Sequence, residues 1–284
     1  MEEQRIEATM NILNKAMLLA AVVSFGTSAA ISDINGGPNS IDEDYGRTLP
    51  FYGDEVRDLG IKLPKPIGIS VFTHSQEDKM GLDNFTLQGD PNIGEDMPDG
   101  VSGTVNTTNL LALRADMWVL PFLNLHAMIG KATTSSNITL GMNDFDGTVT
   151  RDHINGLGTT SDIIGVGAVL AAGYGNWFGT VDTTYVATSV NGVGANLNAL
   201  VITPMVGYML PNDFRIMAGA QYQSYDRYIR GNIDGHEFSV RQHNDSWSTM
   251  VGVSKEFDDN WEASLMYQKG RTRNGATLIL GKRF

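Results

Sequence analysis

The sequence ends on Asn274-Gly-Ala-Thr-Leu-Ile-Leu-Gly-Lys-Arg-Phe284. Counting back in twos from Phe284 gives one face with Lys282, Leu280, Leu278 and Ala276. The opposite face carries Arg283, Gly281, Ile279 and Thr277. A period of two residues is the pattern of a β-strand whose two faces meet different surroundings. The stretch therefore predicts a strand that finishes on an exposed aromatic side chain.

The same period of two recurs from residue 66 onward and predicts ten strands in five hairpins. Short turns are expected near residues 121, 176, 212 and 259, where they alternate with longer polar connections at the other end of the strands. The longest of these connections are predicted at 75–106, 132–160 and 228–243. A small outlying hairpin is expected within 132–160, around Asn143-Asp-Phe-Asp-Gly147. Pro204 lies inside the sixth strand and predicts a β-bulge, since proline cannot donate a hydrogen bond to the ladder.

This arrangement, together with the terminal Phe284, resembles the bacterial outer-membrane β-barrels. The resemblance implies an all-β fold, a transmembrane antiparallel up-and-down barrel with short periplasmic turns and long extracellular loops. It also implies that Phe284 faces lipid and that the last strand is the signal read by the barrel-assembly machinery. Strands of about ten residues are long enough to cross a thin membrane at a tilt.

The positions of the aromatic residues favour a lipid-facing barrel over a soluble β-sandwich. Outward aromatic residues beside the short turns or the carboxy-terminus are Tyr174, Trp177, Tyr208, Phe214, Phe257, Trp261 and Phe284. Those at the opposite rim are Tyr185, Tyr222, Trp247 and Tyr267. Two aromatic belts around an apolar band match the two interfaces of a bilayer. A sandwich would instead pack its aromatic residues in mid-strand, between the sheets.

The amino-terminal part predicts export. Residues 1–30 have the form of a signal peptide, with Lys15 before an apolar run and small residues after it, and we expect translation to start at Met10. Residues 31–65 are polar and form either a periplasmic lead-in or a small plug in the lumen. Residues 66–284 form the barrel. The predicted location is the outer membrane of a Gram-negative bacterium, reached through the periplasm.

The composition limits the classes of partner and cofactor that the protein is expected to bind. There is no cysteine, so neither a disulfide nor a thiolate site is possible, and no cofactor or metal is expected. With 20 Lys and Arg against 32 Asp and Glu, the chain lacks the basic surface that nucleic acids require. The expected partners are outer-membrane lipid, lipopolysaccharide and the assembly machinery. The acidic stretch 77–99 either bridges to lipopolysaccharide phosphates through divalent cations or is simply solvated.

The inward face predicts a polar lumen. Its charged cluster comprises Arg114, Asp116, His126, Asp182, Arg215, Glu256 and Glu262. These charges either pair and hold the lumen shut or line a small aqueous path. Because the turn is centred on Pro121, Asp116 should lie opposite His126, and Val119 opposite Leu123. Inward glycines either leave space for a narrow channel or let the strands coil, and they are Gly165, Gly167, Gly173, Gly207, Gly219 and Gly252.

Three functions fit these features. The first is a narrow pore or passive transporter for small solutes. The alternative is a non-conducting barrel that serves surface adhesion or membrane integrity. The third is a hydrolase at the outer rim, with a His/Asp site drawn from Asp226, His236, His243 and Asp245. No motif of the known outer-membrane enzymes supports catalysis, so the protein is not expected to be an enzyme.

Overall fold

The computed structural model describes residues 48–53, 63–80, 85–87, 104–143, 149–190, 196–233 and 236–284. The predicted signal peptide and most of the segment 31–65 lie outside these residues. The strands are β1 (Ile67–Met80), β2 (Phe85–Leu87), β3 (Thr104–Leu120), β4 (Leu123–Asn143), β5 (Val149–Tyr174), β6 (Trp177–Val190), β7 (Asn196–Met209), β8 (Phe214–Ile233), β9 (His236–Phe257), β10 (Trp261–Gly270) and β11 (Arg273–Arg283). No helix in the described part of the chain is long and apolar enough to cross a membrane.

The strands form one closed antiparallel barrel. Ten strands form the ring. Their order is β10, β11, β1, β3 and on through β9, and β9 in turn pairs with β10. The first strand, β1, and the last strand, β11, meet at the closing seam. The short β2 adds only to the far end of β9. At the closing seam, the amide of Phe284 donates to the carbonyl of Ile67 over 2.8 Å. The predicted fold class is confirmed.

Tight turns join the strands at one end, as expected. Residues with positive φ occupy three of these turns, and they are Gly175, Asn212, Asp213, Asp259 and Asn260. Glycine tolerates this left-handed conformation without strain, and Asn and Asp tolerate it better than other side chains. These residue types therefore end each strand sharply and return the chain into the barrel.

At the opposite end, the loops predicted at 132–160 and 228–243 are mostly strand, and most of the loop predicted at 75–106 lies outside the described residues. β4 continues to Asn143 and β5 begins at Val149, so most of 132–160 is strand, and β8 and β9 likewise cover most of 228–243. β4 and β5 stay paired as far as Asn143 and Val149, so the residues that flank 144–148 continue the barrel sheet rather than form a separate hairpin. These extensions are richer in polar residues than the rest of the strands, so they show less of the regular alternation that identifies a membrane-spanning strand. Sequence alternation therefore detects only the part of a strand that lies in lipid.

Two details of register also differ from the predictions. No bulge occurs at Pro204: the pairs Ile202–Tyr222 and Met205–Gly219 keep one register, and the ladder only loses the pairs between them. A proline that lacks its N–H can thus be accommodated by an interrupted ladder. Val119 does not pair with Leu123, because a register shift between Trp118 and Leu120 pairs Leu120 with Leu123 instead. Asp116 does lie opposite His126, as predicted.

The outer surface is apolar and the core is the lumen. Outward side chains of the strands remain exposed, among them Leu113, Val166, Leu265 and Leu280. All predicted belt residues lie on this outer face: Tyr174, Trp177, Phe214, Phe257, Trp261, Phe284, Tyr185, Trp247 and Tyr267 are exposed, and Tyr208 and Tyr222 are half-buried. Each half-buried tyrosine packs against a tryptophan. Tyr208 packs edge-on against Trp177, with ring centroids 5.0 Å apart, and Tyr222 packs at a tilt against Trp247, with ring centroids 5.2 Å apart. Such a surface is suited to hydrocarbon bounded by two interfaces.

Candidate functional site: the filled lumen

Side chains fill the interior of the barrel. Arg114 and Asp182 are 0% exposed, and Asp116, His126 and Arg215 are also buried. Glu256 and Glu262 are half-buried near the short-turn end. The residues that would line an open aqueous channel are thus covered by their neighbours. In this conformation the lumen is closed at the level of its charged residues.

A charged cluster spans the lumen from β3 to β6. Nη1 of Arg114 on β3 lies 3.4 Å from Oδ2 of Asp182 on β6, although β4 and β5 separate β3 from β6 in the sheet. The Thr184 hydroxyl donates to Oδ1 of Asp182 over 2.8 Å. His126 on β4 completes the cluster, with Nε2 2.9 Å from the Thr184 hydroxyl and 3.9 Å from Oδ1 of Asp182. We call Arg114, His126, Asp182 and Thr184 the central cluster.

A second pair lies nearer the short turns and closes the seam between β11, β1 and β3. Arg283 donates from Nη1 to Oδ1 of Asp116 over 2.8 Å, and Asn124 donates to the same oxygen over 2.6 Å. Gly68 lies between the partners, since it is opposite both Arg283 and Asp116 in register. A Cβ at this glycine would overlap both side chains. The absence of a side chain on β1 therefore permits an ion pair between its two neighbours.

The Asp116–His126 pair expected from register does not form a hydrogen bond. The carboxylate of Asp116 is engaged by Arg283 and Asn124, while the ring of His126 turns to Thr184. Of the other predicted cluster members, Arg215 donates to Glu256 over 2.6 Å, and Glu262 accepts from Ser264 over 2.8 Å. The charged cluster predicted for the inward face is thus several separate groups.

Sequence reasoning missed a polar network on the side of the lumen away from the short turns. Nδ1 of His74 lies 2.7 Å from the Thr277 hydroxyl, and Gln268 donates to Oε1 of Gln76 over 2.5 Å. Arg273 binds Gln223, and its Nη2 donates to Ser248 over 3.0 Å. The sequence feature that could have predicted this network is the inward parity of several glutamines, which places uncharged hydrogen-bonding groups together inside the barrel.

Apolar side chains occupy the remainder of the lumen in two clusters. One contains Phe178, Met205, Met217, Met250 and Met266, on β6 to β10. The other contains Phe72, Leu110, Ala112, Met128, Ala132, Ile163, Val186, Ala199 and Ile279. Methionine adapts its shape to irregular gaps, so this lining packs tightly around the polar groups.

The inward glycines do not leave open space. Side chains of neighbouring strands occupy it: Met128 covers Gly165, His126 covers Gly167, Phe178 covers Gly207, Met205 covers Gly219 and Met266 covers Gly252. Gly173 lies exposed near the end of β5. Of the two interpretations of these glycines, space for a channel has no support at the five covered positions, because each of the five makes room for a larger neighbour.

Alanine substitutions at two glycines, one inward and one outward, test this packing. A Cβ at Gly167 would overlap the ring of His126 and the carbonyl of Thr183, whereas a Cβ at the outward Gly179 meets nothing closer than the Met205 carbonyl at 3.8 Å. Gly167→Ala is expected to lower the free energy of unfolding by about 1–3 kcal/mol, as overpacking does. Gly179→Ala should be nearly neutral. Urea unfolding of both variants in vesicles gives the comparison, and equal effects would contradict the covering of Gly167.

The residues of the candidate hydrolase site lie on strands rather than in a loop. The backbone places Asp226 opposite His243 and Ser224 opposite Asp245, on β8 and β9, and His236 at the start of β9. The side chains of Asp226, His236, His243 and Asp245 lie outside the described residues. The third function, a hydrolase at this rim, is therefore not tested by the described side chains.

The architecture defines the class of protein. A closed ten-stranded antiparallel barrel with an apolar outer surface has the architecture of the outer-membrane β-barrels. No protein-family model and no curated protein matches the sequence. The fold is that of this class, and no subfamily within it is identified.

Solved structures similar to the chain share the barrel. One is the translocator domain of the autotransporter NalP from Neisseria meningitidis, with 10% identity and a TM-score of 0.43 over 81% of this chain and 93% of that one. Another is an outer-membrane channel from Pseudomonas putida F1, with 12% identity and a TM-score of 0.40 over 78% and 97%. The KdgM porin has 11% identity and a TM-score of 0.30 over 76% and 99%. The likeness is limited to the fold and does not select a function.

Proposed function

We propose that the chain forms a narrow pathway for small solutes through the outer membrane, a pore or passive transporter that the central cluster holds closed at rest. The observation that carries this proposal is the contact of Arg114 with Asp182, which joins β3 to β6 inside the lumen. Because the two strands are not neighbours in the sheet, this bridge crosses the path that a solute would take. Separating the two side chains would open the path without breaking any ladder.

Unpaired polar atoms inside the barrel support a hydrated path. Nε and Nη2 of Arg114 have no protein partner among the described residues, nor do Nε and Nη1 of Arg215 and Nε1 of Trp118. Buried polar groups in native proteins are almost always satisfied by protein or by ordered water. A lumen built only to seal the barrel would use apolar residues at these positions, since these cost less to bury.

Conductance tests the proposal. Wild-type protein in planar bilayers is expected to stay mostly closed with brief openings, and Arg114→Ala should raise the open fraction about tenfold or more, because a bridge worth about 1.4 kcal/mol already shifts an equilibrium tenfold. Thr249→Ala, on the outer face, is the matched control and should behave as wild type. Heat-modifiable migration on gels verifies that each variant is folded.

A non-conducting barrel for membrane integrity or surface adhesion is the second candidate. It is favoured by the burial of nearly all described inward side chains. Folded wild type and folded Arg114→Ala that both fail to conduct would support it and overturn the pore. The third candidate, a rim hydrolase, has no support from the described side chains.

The segment before the barrel is proposed to cover the periplasmic mouth. The amide of Phe51 donates to the carbonyl of Val119 over 2.9 Å, beside the short turn between β3 and β4. Nε of Arg283 donates to the carbonyl of Lys65 over 2.8 Å. These contacts support a position at the short-turn end for the described parts of 31–65. The signal peptide, export through the periplasm and the role of Phe284 in assembly stay predictions.

A further inference from the structure

The lipid-facing rim beside the short turns carries two lysines among aromatic rings. Lys255 on β9 and Lys282 on β11 point outward, in the same parity as the aromatic belt. Each lies two residues before a belt aromatic on its own strand, Phe257 and Phe284. Both lysines are half-buried. Two positive charges are thus placed inside the belt rather than beyond it.

Each ammonium is flanked by aromatic rings. Nζ of Lys255 lies 4.4 Å from the ring centroid of Phe214 and 5.5 Å from that of Phe257. Nζ of Lys282 lies 5.0 Å from the ring centroid of Trp261 and 5.8 Å from that of Phe284. These contacts orient both ammonium groups along the surface of the barrel by cation–π attraction.

Register joins the residues into one patch across four strands. Lys255 lies opposite Phe214, while Trp261 lies opposite both Phe257 and Lys282. We call this patch the basic aromatic rim, and its members are Phe214, Lys255, Phe257, Trp261, Lys282 and Phe284. The indole of Trp261 stands on the strand between the two lysine-bearing strands.

Neither lysine has a carboxylate partner among the described residues. At the opposite rim, in contrast, Lys131 pairs with Asp162 over 2.5 Å. The nearby acidic residues Asp258 and Asp259 are exposed in the turn and form no ion pair with either lysine in the described structure. The basic aromatic rim therefore keeps a net positive charge, whereas the lysine at the other rim is neutralised within the protein.

A half-buried ammonium at the edge of hydrocarbon is stabilised by an anionic partner. Lysine stems follow apolar surfaces and deliver the charge to the level of the lipid headgroups. At the short-turn end the anions at this depth are the phosphates of the inner leaflet, and anionic lipids attract such lysines more than zwitterionic ones do. The rings would pack against the glycerol and the first methylenes of the same lipid.

We propose that the basic aromatic rim is a binding site for an anionic glycerophospholipid of the periplasmic leaflet. Lys255 and Lys282 contact its negatively charged headgroup, and Trp261 packs between the two contacts. The two positive centres on either side of one indole suit a headgroup that carries two phosphates. The site is independent of whether the lumen conducts.

Native mass spectrometry of the purified barrel tests the site, with cardiolipin, phosphatidylglycerol and phosphatidylethanolamine as the probes. Wild type should retain cardiolipin in preference to phosphatidylethanolamine. The double variant Lys255→Gln/Lys282→Gln should lose about tenfold or more of that preference, since both contacts to the headgroup lose their positive charge. Lys255→Arg/Lys282→Arg should retain it, because the charge and the ring contacts survive.

Lys131→Gln, at the opposite rim, is the matched control and should leave the preference unchanged. Both glutamine substitutions are on the outer surface, so the double variant is expected to fold, and heat-modifiable migration verifies this. Loss of preference in the control as well would show a non-specific charge effect and overturn the site. Equal retention of the three lipids by wild type, or an unaltered preference in the double glutamine variant, would overturn it too.

Discussion

Leu265→Arg is expected to lower the free energy of unfolding by about 2–4 kcal/mol, the cost of an arginine at the bilayer midplane. Leu265 is 53% exposed on the outer face of β10, opposite the apolar residues Val253 and Leu278. Its position between the two belts leaves an arginine no short route to water. Urea unfolding in vesicles, followed by tryptophan fluorescence, measures the loss.

Thr249→Arg is the matched control for Leu265→Arg. Thr249 is also exposed on the outer face, but it lies two residues from the belt residue Trp247, so an arginine there should cost only about 0–1 kcal/mol. Ser264, on the inner face, is not a suitable mild control, because it is buried and donates to Glu262 over 2.8 Å. Equal losses at Leu265 and Thr249 would contradict a lipid-facing apolar band.

Arg114→Met is expected to cost about 3–5 kcal/mol, as does the removal of one partner from a buried ion pair. The substitution leaves the carboxylate of Asp182, which is 0% exposed, without its only arginine partner in the central cluster. Thr184 and His126 remain beside it, but neither carries a fixed positive charge. The loss is measured by the same unfolding experiment as for Leu265.

The double variant Arg114→Met/Asp182→Leu completes this test. Removing both charges should restore most of the stability, because an apolar pair of similar volume leaves no buried charge uncompensated. The difference between the double loss and the sum of the single losses gives the coupling between the two residues. A loss below about 1 kcal/mol for Arg114→Met would show the bridge to be solvated, as surface pairs are. In that outcome the central cluster would not hold the lumen closed.

The transmembrane part of the fold was predictable because lipid imposes the alternation. Most outward positions in the membrane-spanning part are apolar or aromatic, so parity and turn residues were enough to locate the ten strands and the belts. The pairing of Asp116 with His126 followed from one tight turn. The strand extensions beyond the bilayer were missed, since no lipid selects an apolar face there.

The sequence by itself determined which residues face the lumen and which face the membrane, because facing depends only on the local period of two. Only the closed barrel decided which lumenal residues meet. Arg114 reaches Asp182 past β4 and β5, and Asp116 reaches Arg283 over Gly68, so these partners depend on the stagger and curvature of the whole ring. Whether the lumen is filled also depended on the ring, since side chains from other strands occupy the space above Gly165, Gly167, Gly207, Gly219 and Gly252.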